Sequence, residues 1–307
     1  MLNPAAIEVD GLIHLLYRAT PTRNFGVAGE YASSVGVATS TDGVAFTARD
    51  APLITPTEPY EAGLGCEDPR VSRIGDRYLI FYNAVDPAGR VGVAAASTTD
   101  FATATKHGLL LRTESPDIRI KAAAAFPLDS GRIGLAFTLA TESPLGSLMY
   151  VEHPDLDSLL QPTSEERLGR LLTRYGEYVL LPPPTPVERG PELGAAPVRT
   201  DDGWLLVYCP ANRTARPQWS IGALLLDPDD PRVVLGHLPE LLLPETDDER
   251  IGVVDNVAFP SGTVVRDGVL YVYYGAGDQV CCLATADLAE LLAALRAAPL
   301  DRRGFSY

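Results

Sequence analysis

The chain has 307 residues, of which 46% are hydrophobic and 21% charged, and its net charge is −15 from 40 acidic and 25 basic residues. That composition excludes a disordered chain, and so negative a surface repels nucleic-acid phosphates and anionic lipids, so neither is an expected partner. No apolar run reaches the ~20 residues that span a bilayer. The N-terminus, "MLNPAAIEVDG", has no basic-then-apolar leader, and Cys66, Cys209, Cys281 and Cys282 lack metal-ligand spacing. Free thiols in a reducing cytoplasm are therefore expected, without a metal site.

In chain order, five β-rich runs stand out: "LIHLLYRA" (12–19), "RYLIFYNA" (77–84), "RIGLAFTLA" (132–140), "GWLLVYCPA" (203–211) and "VLYVYYGA" (269–276). Each is rich in Leu, Ile, Val and Tyr and follows a Gly- or Asp-containing turn. Their aligned aromatics are Tyr17, Tyr82, Phe137, Tyr208 and Tyr274, separated by 65, 55, 71 and 66 residues. A second apolar run follows each: "SSVGVATS", "RVGVAAAS", "SLMYVEH", "SIGALLLD" and "VCCLATA". Recurrence at such spacing without helical periods between predicts an all-β repeat fold, a five-bladed β-propeller occupying 1–307 as a single domain. An irregular β-sandwich is the alternative. The proline-rich stretch 180–192 reads as an inter-blade connection. One helix is predicted, over "TADLAELLAALRAAP" (285–299), with Thr285 or Asp287 as N-cap and Pro299 closing it.

In a propeller the loops at one end converge on a central channel, so polar residues at equivalent repeat ends meet in space. Those ends supply Arg18, the group Glu67, Asp68 and Arg70, then Asn83 and Asp86, Lys121, Glu192, Glu249 and Asp278. Several carboxylates with a few cations suit cleavage of a glycosidic bond, where one acid protonates the leaving oxygen and another carboxylate steers a nucleophile.

The segment "GLGCEDPRVSRIGDRYLIFYNAVD" (63–86) resembles the signature of glycoside hydrolase family 130. "LLYRA" with "VGVATSTDGVAF", "GWLLVY" with "IGALLLDPDDP", and "ERIGVVDNVAFPSG" with "LYVYYGAGD" resemble further stations in the same order. The resemblance implies a five-bladed propeller that inverts β-mannosidic bonds, with no metal or organic cofactor and an oligosaccharide as its partner; a homo-oligomer is compatible with it. It implies Asp68 as general acid, acting through the mannose 3-hydroxyl, and Glu249 and Asp278 as carboxylates that hold mannose hydroxyls. Arg18, Glu67, Arg70, Asn83 and Lys121 complete the expected substrate site. Asp68 is expected to have a raised pKa from burial and from Glu67, and Arg70 to pair with Glu67 or touch sugar.

One departure bears on the nucleophile. Phosphorylases of the family usually end the third-blade strand in His-Arg and the fourth in Tyr-His-Gly, whereas this chain places Thr138 and Cys209 there. Hydrolysis, with Glu249 or Glu192 as base, is therefore the favoured expectation, and phosphate would be a co-substrate only in a phosphorylase. Arg119, Lys121, Arg213 and Arg216 are candidates to rebuild a phosphate cradle. A propeller glycosidase for arabinose, xylose or fructose sugars and a non-catalytic sugar-binding propeller are the remaining alternatives.

Overall fold

A computed structural model describes residues 1–20, 32–115, 117–141, 146–183, 190–212 and 217–300. Its strands form five antiparallel blades in chain order. Blade one is Leu2–Val9, Leu12–Ala19, Ser34–Ser40 and Thr47–Ala48; blade two is Gly65–Ile74, Arg77–Val85, Val91–Thr98 and Thr105–Leu111. Blade three is Ile118–Pro127, Ile133–Thr141, Ser147–His153 and Val179–Leu181. In blade four, Glu192–Leu193 and Val198–Thr200 both pair with Gly203–Cys209, which Ile221–Leu226 and Val234–Leu242 follow. Blade five is Ala258–Arg266, Val269–Ala276 and Val280–Asp287. The expected propeller is thus the observed fold, and the five aligned aromatics all sit, buried, in the second strand of their blades.

These second strands are apolar on both faces because each is covered by a blade on either side. Leu79 and Phe81 pack toward blade three, whereas Ile80 and Tyr82 pack toward blade one. Likewise Leu206 and Tyr208 face blade three, and Leu205 and Val207 face blade five. Period-two alternation is present, but it separates two buried faces rather than core from solvent. The five hydrophobic clusters are the five blade–blade interfaces, the last closing the ring through Ala6, Ile13 and Leu15 against Val264 and Tyr273. At that seam Gly262 lies so close to blade one that a Cβ would meet the Pro4 carbonyl at 2.5 Å.

Among the described residues four α-helices decorate the ring: α1 (Leu156–Leu159), α2 (Glu165–Thr173), α3 (Asp247–Arg250) and α4 (Leu288–Ala297). The expected terminal helix is α4. Of the two candidate caps, Asp287 serves, accepting from the Glu290 N–H at 2.9 Å. Its Leu291, Leu292 and Leu295 pack into the interface of blades four and five, and the Ala298 carbonyl accepts from the His237 N–H. The other three were not expected. In α2 the signal is Ser164, which caps Arg167 N–H, ahead of Leu168, Leu171 and Leu172; it is a short amphipathic stretch among strong strand signals.

Candidate active site

The inner strands are bulged at corresponding places. Register shifts fall between Leu2 and Ala5, between Glu67 and Arg70, between Pro260 and Gly262, and opposite Ala122 in blade three. Asn3, Asp68 and Ala122 occupy three of these bulges with φ of 45°, 49° and 51°, left-handed values that non-glycine residues seldom adopt. A bulge re-aims the side chain it carries, and here it turns Asn3 and Asp68 into one cavity of about 340 Å³ at the channel mouth. Arg18, Arg70, Asn83, Lys121, Ala122, Glu192, Trp219, Val254, Val257, Phe259 and Asp278 complete the lining.

Asp68 lies at the centre of a hydrogen-bonded cage. Its Oδ1 accepts from Asn3 Nδ2 at 2.8 Å and its Oδ2 from Asn83 Nδ2 at 3.3 Å. Arg18 Nη1 stands 3.6 Å from Oδ1, while its Nη2 pairs with Glu67 and its Nε donates to Ser33 Oγ at 3.0 Å. Asn83 is held in turn, since its Oδ1 accepts from the Ala122 N–H at 2.8 Å. Across the cavity Lys121 Nζ lies 2.5 Å from Glu192 Oε2.

The electrostatics reverse the expectation for Asp68. Burial acts to raise its pKa, but Arg18, the Asn3 amide, Arg70 and Lys121 outweigh it and hold the carboxyl below the usual range. The cost of crowding falls on its neighbours. Burial pushes Glu67 up to about 7, against the pull of Arg18 and with repulsion from Asp68 and Asp278. Burial and repulsion from Asp68 likewise carry Asp278 to about 6.

Arg70 pairs with neither Glu67 nor any other carboxylate by hydrogen bond. Its guanidinium donates to four backbone carbonyls: Gly194, Asp68 at 3.0 Å, Pro69 at 3.1 Å and Leu193 at 3.1 Å. It also lies over the Phe259 ring at 5.6 Å. The arginine therefore ties blades two, four and five together beneath the cavity, and burial lowers its pKa to about 10.

Glu249 does not line the cavity, which corrects its expected place at the channel. Its Oε2 accepts the Glu245 and Thr246 N–H groups at 2.8 Å, capping α3, and its Oε1 accepts from Tyr274 OH at 2.7 Å. The same device occurs in blade two, where Glu61 accepts the Thr57 and Glu58 N–H groups and the hydroxyl of Tyr82. "PTEPYE" (56–61) and "PETDDE" (244–249) are thus repeat copies of one capping box that braces the second strand of its blade.

The other expected residues separate clearly. Arg18, Asp68, Arg70, Asn83, Lys121, Glu192 and Asp278 are brought together in the lining, with Glu67 directly behind Arg18. Asp86 instead binds Arg90 at 2.7 Å, outside the cavity. Thr138 is fully buried and its Oγ1 accepts from the Leu193 N–H at 2.7 Å. Neither it nor buried Cys209 lines the cavity, and Arg119 is exposed outside it. Arg213 and Arg216 lie outside the described residues. Among the described residues no group of three metal-binding side chains occurs, and no helix is long and apolar enough to cross a membrane.

Sequence reasoning missed Asn3, Trp219, Val254, Val257 and Phe259. For Asn3 a signal exists: "NPAA" and "DPRV" each begin 14 residues before the aligned tyrosine of their repeat. For the apolar group there is none, because Trp219, in the two-residue strand Gln218–Trp219, and Val254, in an irregular loop, reach the cavity from outside the repeated blade strands, linked through a Trp219 N–H to Asn256 carbonyl bond.

Residues 1–297 match the family described as β-1,4-mannooligosaccharide phosphorylase, glycoside hydrolase family 130. The chain is 28% identical over 295 residues to a 1,2-β-oligomannan phosphorylase of Thermoanaerobacter sp. (strain X514), covering 95% of this chain and 91% of that protein. It is 30% identical over 264 residues to a β-1,2-mannobiose phosphorylase of Listeria innocua, covering 85% of this chain and 68% of the other. A solved Listeria innocua β-1,2-mannobiose phosphorylase, in complex with β-1,2-mannobiose, superimposes with a TM-score of 0.78 at 23% identity, over 96% and 92% of the two chains. A structure described with family-130 hydrolases that target β-1,2 mannosidic linkages in Candida mannan gives 0.75 at 23% identity, over 93% and 84%.

Proposed function

The chain belongs to glycoside hydrolase family 130 and is an enzyme, and we propose that it is an inverting phosphorylase of β-1,2-linked mannosides. The observation that carries this reading is the position of Glu249. Hydrolysis needs a carboxylate free to deprotonate water; the capping box withdraws Glu249 from that task, and Glu192, the other expected base, is ion-paired with Lys121. Phosphate is an anion at neutral pH and needs no protein base. The phosphorylases among the relatives named above support the same choice and the β-1,2 linkage.

In this account Asp68, at the cavity's centre, delivers a proton toward the leaving oxygen while phosphate attacks C1 from the opposite face of the ring. The C1–oxygen bond breaks, a C1–phosphate bond forms, and α-mannose 1-phosphate and the shortened sugar leave. Lys121 and Arg18 are the lining cations set against carboxylates rather than carbonyls, and they supply the attraction for phosphate. Asp278 and Glu192 accept from mannose hydroxyls.

Hydrolysis is the second reading. Thr138 and Cys209 put no cation where the phosphorylase pattern has histidine and arginine, and Glu192, which does line the cavity, would then serve as base. Under either reading Asp68→Asn removes the transferable proton and keeps the shape. Turnover of β-1,2-mannobiose should fall by about 10³-fold or more, with the Kd for mannobiose by calorimetry unchanged. A variant with near-normal turnover places the acid elsewhere.

A further inference from the structure

Two asparagines hold the two oxygens of Asp68, but they are not equivalent. Asn83 is pinned, because its Oδ1 accepts the Ala122 N–H and its Nδ2 must therefore point at Asp68. With Asn3 Nδ2 on the other oxygen, both carboxylate oxygens receive donors, and neither asparagine offers an acceptor to a proton on Asp68. Asn3 is not pinned in this way. Its Oδ1 is buried and has no hydrogen-bond partner among the described residues. It is seated instead against Gly275, where a Cβ would come within 2.1 Å of it. Turning the Asn3 carboxamide over therefore breaks one hydrogen bond, the one to Asp68, and presents an acceptor to Asp68 in its place.

We infer that Asn3 is a positioning residue that sets the protonation state of Asp68, donating to the carboxylate in the empty cavity and turning over to accept from the carboxylic acid in the substrate complex. The cavity's other charges surround Asp68 without offering this exchange. Arg18 from blade one, Arg70 from its own strand and Lys121 from blade three are donors only, and Glu67, Glu192 and Asp278 cannot accept from Asp68 across the asparagine cage without displacing it. Burial of Asn3 at the φ = 45° bulge fits the role, since asparagine tolerates that conformation and is held there by the strand pairing on either side.

The inference rests on Asp68 as the acid, and its test reads the acid rather than the nucleophile. Asn3→Gly keeps the left-handed backbone and removes the carboxamide; Asn3→Asp keeps the shape and removes the donor. For each, kcat on β-1,2-mannobiose, which reports the acid in the substrate complex, is measured from mildly acidic to mildly alkaline pH, counting released sugar in any form. It is expressed as a ratio to the unmodified enzyme, so that phosphate's own titration cancels. Without an acceptor at position 3 the acid in the substrate complex gives up its proton at lower pH. The ratio for Asn3→Gly should fall about tenfold along the alkaline limb, the size of one pKa unit, whereas that for Asn3→Asp, whose carboxylate still accepts from the acid, should not fall. A ratio that stays flat with pH in both variants, when melting curves show both folded, overturns the inference. An active Asp68→Asn would instead overturn the assignment of the acid itself.

Discussion

Glu67 and Asp68 are neighbours in sequence with opposite electrostatic fates, and the difference comes from what each faces. Asp68 meets two amide donors and the flank of Arg18, so its ionised form is the supported one. Glu67 lies behind Arg18, more deeply enclosed, and its pKa rises to about 7 because burial outweighs the single pair. A group whose folded pKa exceeds its ordinary 4.5 adds stability that is fully present below that value and is lost as pH rises through 7. Asp278, raised to about 6, acts in the same direction. Asp68, Glu61 and Glu249 act oppositely, but they lose their contribution only as pH falls below the ordinary carboxylate range. Burial lowers the pKa of His14, His107, His153 and His237, which removes stability over the same interval. The test is therefore differential: on acidification from pH ~8 to pH ~5.5, Glu67→Gln should lose up to roughly 3 kcal/mol of stability relative to the unmodified protein. A pH dependence unchanged in this variant would belong to other groups.

At the scale of elements, the inner-strand bulges and the capping boxes divide the work. Bulges aim Asn3 and Asp68 into the cavity, while the boxes around Glu61 and Glu249 fasten the strands behind them. Glu249→Gln separates the two roles. A scaffold residue that loses charge-assisted caps should cost about 1–3 kcal/mol of stability and leave kcat within a few-fold. A catalytic base would lose activity by orders of magnitude with little change in melting temperature. Arg70→Lys tests the brace beneath the cavity: one ammonium cannot serve four carbonyls spread over two blades. A loss of at least about 3 kcal/mol in urea unfolding is expected, and a stability within 1 kcal/mol of the unmodified protein (about the value of one ordinary hydrogen bond) would mean that the carbonyls find other partners.

At the scale of the molecule, the propeller was readable because each second strand repeats one buried aromatic in an apolar run, and the ring requires that burial on both faces of every blade. The cavity lining was readable where a repeat-specific charge interrupts that pattern, as at Asp68, Lys121 and Asp278. It was less readable where a charge serves the fold: in one dimension Glu249 looks catalytic and Arg70 looks like a partner of Glu67 or of sugar, and only their hydrogen-bond partners reveal a cap and a brace. Thr138 and Cys209 show the same limit, since an inference from missing cations says nothing of what lines the cavity. The most direct measurement of the central claim is therefore chemical. Incubation of the protein with β-1,2-mannobiose, with and without inorganic phosphate, is read by NMR for α-mannose 1-phosphate and free mannose. An inverting phosphorylase yields α-mannose 1-phosphate and mannose in equal amounts when phosphate is present, and turns over little without it. Mannose released at the same rate in both samples, with no mannose 1-phosphate, would contradict that claim and make the enzyme a hydrolase.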